Sequence, residues 1–273
     1  MTLFSNGGGK TADRRVLLRR RVILVAALLD ESGVVALRRA HALSQTFGAQ
    51  LHLVHVLANA TRPLVVDEES ARDDVVRWAA DEAGVVLAGR VVHVDIGDPA
   101  RVIHHQAKTL GAELIVVGAP AAETNTLGSL ASSLSRTTAL LVAHPPRTSC
   151  ELVAATDLRD GQFPVVKVAA HLADALAARV TVVHNLENDG PVVALALENI
   201  AGRLQELERL ANELDRVRGG RVSTTRTTAE AIADVASSCD ADIAVVGIRP
   251  GHGRTLLSLL ARATCSVLAI PLA

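Results

Sequence analysis

The segment from Arg249 to Arg254 has residue types that bind phosphate. Its sequence is RPGHGR, so guanidinium groups flank the glycines Gly251 and Gly253. Glycine lets backbone N–H groups approach phosphate oxygens, and arginine donates charge-assisted hydrogen bonds to them. The same residues also suit an ordinary surface loop between a strand and a helix. Because short motifs match by chance, both interpretations stay open.

The histidines at strand ends indicate structure more than metal binding. His52 and His55 are three residues apart in a predicted strand, so their side chains point to opposite faces. His55 and His184 end matching strands in the two halves of the chain. A structural role, or one facing a site at the strand ends, explains them better than metal ligation. The sequence has no GxSxG, HExxH or paired-cysteine motif, so it predicts no catalytic residue and no metal site.

The cysteines predict a reducing environment. Cys150, Cys239 and Cys265 are odd in number and form no CxxC pair. This usage fits the cytoplasm better than a disulfide framework. Cys265 stands at the start of a predicted buried strand, where packing is a better explanation than nucleophilic chemistry.

Composition disfavours several classes of protein. Basic and acidic residues balance at 28 and 29, and aromatic residues make up only 1% of the chain. The balanced charge disfavours a protein that binds nucleic acids or membrane surfaces. The scarcity of aromatic side chains disfavours one that binds single-stranded nucleic acid by stacking. No apolar run reaches the roughly 20 residues that a membrane-spanning helix needs. Residues 1–19 are predicted to be a basic tail, either a solvated flank or a contact for an anionic surface.

Predicted strands and helices alternate along the first half of the chain. The strands are aliphatic and rich in β-branched residues, as strands buried on both faces are. They are Val22–Ala27, Leu51–Leu57, Val91–Ile96, Leu114–Val117 and Leu140–Ala143. Between them come a helix closed by Gly48, a helix at Val65–Ala83, and a helix capped by Asp98 with Pro99. This alternation predicts a parallel sheet covered by helices on both faces.

The second half of the chain repeats the first at an offset of 129 residues. Ala49–His55 corresponds to Ala178–His184, and Ala112–Gly118 corresponds to Ala241–Gly247, with no insertion between them. Self-similarity at a fixed offset is the signature of a duplicated unit. We therefore predict two α/β modules in tandem.

The expected domains are residues 20–144 and 150–273, joined by a linker that contains two prolines. In the second domain, Val222–Thr225 is predicted to be the third strand. A long helix from about Val192 has apolar residues at alternating steps of four and three. This spacing suits a coiled-coil seam, but an amphipathic helix lying on its own sheet is the favoured interpretation.

Four segments of the first module and four of the second form an ordered set. They are Ile23–Ser32, Leu51–Val56, Gly97–Ile103, Ala112–Gly118, Glu151–Leu158, Val180–His184, Ala241–Gly247 and Cys265–Pro271. In this ordered set the chain resembles the universal stress protein family, in its tandem two-domain form. The resemblance implies a five-stranded parallel sheet of strand order 3-2-1-4-5 in each module. It also implies two-fold pairing through the final strands, made within the tandem chain or between copies in a homodimer.

Many members of this family bind ATP at the carboxyl ends of the strands, where open α/β sheets place ligands. Their motif after the fourth strand is Gly, two residues, Gly, nine residues, then Gly-Ser or Gly-Thr. An acidic residue after the first strand helps to hold the adenosine end. In the second module, Pro250 stands where the second glycine belongs. Asp157 and Gly247 keep the family's positions, but no Gly-Ser follows, and Ser258 stands at the position of Ser129 in the first module. The candidate cofactor-binding residues are therefore Asp157, Gly247 and Ser258, together with Gly251, Gly253 and Arg254 of the RPGHGR segment.

The first module departs further from the family's motif. Its candidate residues are Gly118, Gly128 and Ser129, but Ala121 replaces the second glycine. Gly128 comes only ten residues after Gly118, and Leu28 occupies the acidic position. We expect this module to lack a competent nucleotide site.

The resemblance implies a stress-response protein. Together with the eroded motifs and the missing catalytic residues, it predicts a cytoplasmic protein that acts by binding, is not an enzyme, and has a degenerate nucleotide site. The alternative is a sensor that binds ATP or another adenine nucleotide through its second module. A third hypothesis is an enzyme such as a nucleotidyl transferase or ligase. Such enzymes carry histidine pairs or a glycine-rich first loop after a strand, and the sequence has neither in the required context. An aliphatic crevice would also accept an apolar molecule in place of ATP. Neither nucleic acid nor a membrane span is expected, and no protein partner is identified.

Overall fold

The computed structural model describes residues 21–57, 67–119, 124–133, 138–157, 163–185, 193–223, 227–249 and 253–272. The chain divides into two compact units, Met1–Pro145 and Pro146–Ala273, so the cut falls inside the predicted linker. The predicted tail at residues 1–19, together with Ala121 and Gly251, lies outside the described residues.

The first module contains a five-stranded parallel sheet. Its strands are β1 (Val22–Ala26), β2 (Gln50–Leu57), β3 (Val92–Ile96), β4 (Leu114–Gly118) and β5 (Ala139–Ala143). Its helices are α1 (Glu31–Phe47), α2 (Glu68–Asp81), α3 (Pro99–Leu110) and α4 (Thr124–Ser133). The strand order is β3-β2-β1-β4-β5, which confirms the predicted order 3-2-1-4-5. Every residue of β4 and β5 is buried, as expected for strands covered on both faces.

Glycine and aspartate define the helix ends in this module. Gly48 has φ of 62° and ends α1 in the left-handed conformation, as predicted. Asp98 caps α3, because its Oδ1 accepts a hydrogen bond of 2.9 Å from the backbone N–H of Arg101. The prediction of Val65–Ala83 for the second helix was too long at its C-terminal end, since α2 ends at Asp81.

The second module repeats this architecture. Its strands are β6 (Glu151–Ala155), β7 (Arg179–Asn185), β8 (Val217–Ser223), β9 (Ile243–Ile248) and β10 (Ser266–Pro271). Its helices are α5 (Pro164–Ala175), α6 (Val193–Glu213), α7 (Thr228–Ser238) and α8 (Gly253–Leu260). The strand order is β8-β7-β6-β9-β10, which is the order of the first module.

Strand β8 begins earlier than the sequence predicts. Val222–Thr225 was the expected strand, but pairing with β7 already starts at Val217, which lies opposite Val180. The prediction was wrong because glycines depress β-propensity, and Gly219 and Gly220 stand in the middle of this strand. At Gly220 a Cβ atom would lie 2.3 Å from the Cβ of Leu207 in α6, so glycine admits the close approach of that helix.

Helix α6 lies on the sheet of its own module. Leu207 and Leu210 are 1% and 2% exposed, whereas Leu204, one turn earlier, is 40% exposed. The helix therefore buries an apolar stripe against β8, which confirms the amphipathic interpretation for its described C-terminal half.

Arg147 holds the entry to the second module. Its backbone N–H donates to Oδ1 of Asp242 at 2.8 Å. Its guanidinium group donates to the carboxylate of Asp240 and to the carbonyl oxygen of Thr264, the latter at 2.8 Å. The chain just before β6 is thus tied to the loops that precede β9 and β10.

Candidate functional site

The candidate site lies at the carboxyl ends of β6 and β9 in the second module. These strands are adjacent in the sheet. From β6 the chain adds β7 and β8 on one side and then β9 and β10 on the other, so the strand order reverses between β6 and β9. In an open α/β sheet this switch point leaves a crevice where ligands bind. Asp157 follows β6 and Arg249 follows β9, so the fold brings these charged residues to the crevice from sequence positions far apart.

Asp157 and Arg249 form an ion pair across this edge of the sheet. Nη1 of Arg249 lies 3.2 Å from Oδ2 of Asp157, and the side chains are 42% and 40% exposed, respectively. An ion pair this exposed contributes about 0–1 kcal/mol to stability, because water screens its attraction. Its main consequence is that a carboxylate and a guanidinium group stand side by side within reach of a ligand.

His184 fixes the backbone just before Asp157. Its Nδ1 lies 2.8 Å from the carbonyl oxygen of Thr156, and the N–H of Thr156 donates to the carbonyl oxygen of Val183 at 3.0 Å. A carbonyl oxygen only accepts, so Nδ1 of His184 carries the proton in this bond. The residue that precedes Asp157 is therefore held from both sides by the end of β7.

Gly247 has a packing role at this edge. A Cβ atom there would lie 2.5 Å from Cδ1 of Leu272 and 3.0 Å from Cγ2 of Val165. Both distances are shorter than a comfortable van der Waals contact. Glycine thus lets the first turn of α5 and the segment after β10 approach β9. This close approach is a separate reason for glycine at the position where the family's motif begins.

The predicted loop residues lie partly on α8. Gly253 is the first residue of this helix and Arg254, its second residue, is exposed. Ser258 is exposed but lies about 6 Å further along the axis than Arg254, at 1.5 Å per residue. The N-terminal dipole acts within the first turn, so it favours an anion near Arg254 more than one near Ser258.

The equivalent edge of the first module has an apolar residue in place of Asp157. Leu28 stands at the position of Asp157 and is 45% exposed. Gly118, at the end of β4, admits α1, because a Cβ atom there would lie 2.4 Å from the carbonyl oxygen of Ser32. Gly128 and Ser129 lie inside α4 and not at its first turn. Because position 28 is a leucine, Gly118 and Gly128 have no carboxylate beside them that corresponds to that of Asp157.

The nearest acidic residue in that loop, Asp30, caps α1. Its Oδ1 accepts hydrogen bonds from the N–H of Gly33 at 3.0 Å and from the hydroxyl of Ser32 at 2.7 Å. Burial raises the pKa of Asp30, but these hydrogen bonds outweigh that effect and the net pKa is lowered. Asp30 thus satisfies the helix N-terminus and does not substitute for the missing acidic residue.

A histidine pair on β2 and β3 was missed by the sequence analysis. Nδ1 of His52 lies 3.1 Å from Nε2 of His93, and the rings stack with centroids 5.4 Å apart. Burial and the neighbouring His93 lower the pKa of His52. Burial also lowers the pKa of His93, with Asp95 opposing this effect and Arg72 adding to it. The signal lay in the strand register, which a sequence without an alignment does not reveal.

In the part of the chain that the structure describes, no three His, Cys, Asp or Glu side chains are grouped as a metal site. Over that same part, every helix is too short or too polar to cross a bilayer.

Comparison with known proteins gives a family match over the first module. Residues 19–142 match the model described as the universal stress protein family. A universal stress protein from Archaeoglobus fulgidus DSM 4304 has a similar structure, with a TM-score of 0.64 and 15% identity over 93% of this chain and 97% of that chain. No match was found among curated proteins.

Two structures from Pseudomonas aeruginosa are also similar. A functionally unknown protein from strain PAO1 has a TM-score of 0.65 and 18% identity, covering 92% of each chain. A protein from strain UCBPP-PA14 has a TM-score of 0.66 and 18% identity, covering 92% of this chain and 93% of that chain. At such identities the likeness shows a shared fold that extends over both modules.

Proposed function

We propose that this chain, whose first module belongs to the universal stress protein family, acts in stress response by binding an adenine nucleotide in its second module. The observation that carries this proposal is the exposed ion pair between Asp157 and Arg249 at the carboxyl ends of β6 and β9. In the first module Leu28 stands at the position of Asp157, so the carboxylate of this pair is missing there.

The ion pair supplies the two kinds of group that a nucleotide requires. The carboxylate of Asp157 accepts hydrogen bonds from ribose hydroxyl or adenine amino groups, and the guanidinium group of Arg249 donates to phosphate oxygens. Because both side chains are about 40% exposed, a ligand reaches them without unfolding the site. Little stability is lost when the ligand takes over either group, since an exposed pair is weak.

The helix that follows the loop adds a second source of attraction for phosphate. Arg254 is exposed in the first turn of α8, where the helix dipole also favours negative charge. Arg249 and Arg254 would thus flank the polyphosphate, with Asp157 at the nucleoside end. Ser258 lies one turn further along α8 than Arg254, where the helix dipole attracts phosphate less strongly.

Binding without turnover is the activity that these groups support. Arginine stays protonated at all physiological pH values, so Arg249 and Arg254 offer hydrogen bonds and charge but no proton transfer. The ring of His184 is committed through Nδ1 to the carbonyl oxygen of Thr156. We therefore expect the purified chain to hold ATP without hydrolysing it.

The test is titration calorimetry of ATP into the full chain, with the variants Asp157→Asn and Arg249→Gln. We expect each variant to weaken binding about tenfold or more, because each removes a charge-assisted hydrogen bond. Mass spectrometry of the denatured protein should also detect co-purified adenine nucleotide. A flat titration of the unaltered chain, with no nucleotide released, would refute the proposal, and so would sustained formation of ADP.

A matched control pair is present in the same module. Arg216 and Asp174 also form an exposed ion pair at 3.2 Å, but away from the carboxyl ends of the strands. Arg216→Gln and Asp174→Asn therefore change the same charges and should leave ATP binding as it is. Equal losses in the test and control variants would point to a general effect of charge.

Pairing of the modules is a separate expectation that comes from the family. The resemblance implies two-fold pairing through the final strands, inside one chain or between two copies. Light scattering distinguishes these forms, because internal pairing leaves the mass at 28.6 kDa whereas a homodimer doubles it.

A further inference from the structure

A cavity in the second module lies near the amino-terminal ends of its strands, away from the edge that carries Asp157 and Arg249. Its volume is about 420 Å³. The lining residues come from β6, β7, β8 and the end of α7. They are Glu151, Thr181, Arg218, Gly219, Gly220, Arg221 and Cys239. A volume in this range accommodates a small metabolite.

The charged groups around this cavity have a positive balance. The carboxylate of Glu151, whose side chain is only 10% exposed, lies 3.0 Å from Nη1 of Arg218 and 3.0 Å from Nε of Arg179. Arg221 donates from Nη1 to the hydroxyl of Ser238 at 2.8 Å, a neutral partner. Two guanidinium groups thus contact the carboxylate of Glu151, and a third, that of Arg221, lines the same cavity. The excess positive charge favours an anion.

The backbone leaves the floor of the cavity open. Gly219 has φ of 154°, and a Cβ atom placed on it would meet nothing within 4 Å. Gly219 lines the cavity and contributes no side chain to it. Residues with a side chain rarely adopt this backbone conformation, so the position requires glycine and the space beside it stays open.

Free carbonyl oxygens at a helix C-terminus repel an anion, but at the end of α7 this repulsion is reduced. The N–H of Cys239 donates to the carbonyl oxygen of Val235 at 3.0 Å. The N–H groups of Asp240 and Ala241 donate to the carbonyl oxygens of Ser237 and Ala236 at 3.1 and 2.8 Å. These terminal carbonyl oxygens are engaged by the chain itself, so their negative ends are partly neutralised before a ligand arrives.

We propose that this cavity binds a small metabolite through an oxyanion group, a phosphate or a carboxylate, held by Arg218 and Arg221. The hydroxyl of Thr181 and the open backbone at Gly219 would accommodate the remainder of the ligand. The site is independent of the nucleotide crevice, because the two lie at opposite ends of the parallel strands. The thiol of Cys239 lines the cavity and reports on its occupancy.

The experiment measures the rate at which iodoacetamide alkylates Cys239 in the full chain, by peptide mass spectrometry. Pyrophosphate is the phosphate probe and citrate is the carboxylate probe. We expect one of them to slow alkylation of Cys239 saturably, whereas exposed Cys150 reacts at an unchanged rate and serves as the internal reference. The probe that protects identifies the oxyanion class. If neither probe protects Cys239, the proposal is overturned.

Variants locate the effect. Arg218→Gln and Arg221→Gln should each weaken protection about tenfold or more, since each removes a charge-assisted hydrogen bond. Arg216→Gln makes the same change just before β8 and should preserve protection, as should Arg249→Gln in the nucleotide crevice. Protection that survives both cavity variants would refute the site. Protection that Arg249→Gln abolishes would assign the anion to the crevice and likewise overturn the proposal.

Discussion

His55 and His184 make the same hydrogen bond in the two modules. Nδ1 of His55 lies 2.9 Å from the carbonyl oxygen of Ala27, and Nδ1 of His184 lies 2.8 Å from that of Thr156. Each bond ties the end of the second strand to the first residue after the first strand. In the second module the next residue is Asp157, so the histidine sets the backbone from which this carboxylate projects.

The first prediction concerns this bond. His184→Leu removes the donor, and we expect a loss of about 1 kcal/mol in the free energy of unfolding together with weaker ATP binding. His184→Asn should preserve more of both, because its Nδ2 lies where Nδ1 of histidine lies. Urea unfolding and calorimetry measure the two effects. If the Leu and Asn variants behave alike, the hydrogen bond has no such role.

The second prediction concerns pH and the pair of His52 and His93. Both pKa values are lowered from 6.5 in the folded chain, so the unfolded chain binds more protons as the pH falls through this region. Stability should therefore be highest above about pH 6.5 and should decrease as the pH falls below that value. Urea unfolding across this range measures the change.

Single substitutions test the assignment of that pH dependence. His52→Gln and His93→Gln each leave one imidazole without its stacked neighbour, and they should flatten the decrease. His105→Gln is the control, because His105 is exposed. A decrease of equal steepness in all three variants would assign it to other titrating groups.

The third prediction compares glycines at the ends of β4 and β9. In Gly118→Ala the new methyl group meets the backbone of Ser32, which cannot move aside, whereas in Gly247→Ala it meets the flexible side chain of Leu272. We expect Gly118→Ala to cost about 3 kcal/mol and Gly247→Ala about 1–2 kcal/mol. Thermal unfolding ranks the two variants.

A third glycine provides the control for this comparison. A Cβ atom at Gly202, which is exposed in helix α6, meets nothing within 4 Å. Gly202→Ala should therefore stabilise the protein by up to about 1 kcal/mol, because alanine is the better helix former. Stabilisation by Gly118→Ala as well would contradict the close approach of α1.

The fourth prediction concerns thiol reactivity in the unliganded chain. Burial raises the pKa of Cys265, with Arg147 opposing this effect, and the residue is 2% exposed. Because the thiolate is the reactive form, Cys265 should be alkylated much more slowly than exposed Cys150. Peptide mapping after timed treatment with iodoacetamide measures both rates. Rapid labelling of Cys265 in the folded chain would refute its assignment to the core.

Much of the fold was predictable because the chain carries two versions of the same pattern. The repeat at an offset of 129 residues and the buried strands indicated both sheets, and the caps at Gly48 and Asp98 indicated helix ends. The start of β8 was not predictable, since Gly219 and Gly220 are poor strand formers. They are accommodated there by tertiary contacts, above all the approach of Leu207 to Gly220.

The site was predictable only in part. Asp157 was a candidate from the resemblance, but its pairing with Arg249 depends on two loops that only the folded sheet brings together. One signal was available: both positions change between the copies, to Leu28 and Pro120 in the first module. Gly247 shows a second limit of prediction from sequence. A glycine suits both a phosphate-binding loop and the close packing of a helix against a strand, and the local sequence does not distinguish these two roles.

The contacts of Arg147 determine where the second module can be cut free for separate expression. A polypeptide that starts at Cys150 would leave the carboxylates of Asp240 and Asp242 without the arginine that bridges them to Thr264. One that starts at or before Pro146 keeps this clasp. The minimal autonomous unit therefore includes residues that, by their proline-rich composition, look like a disposable connector.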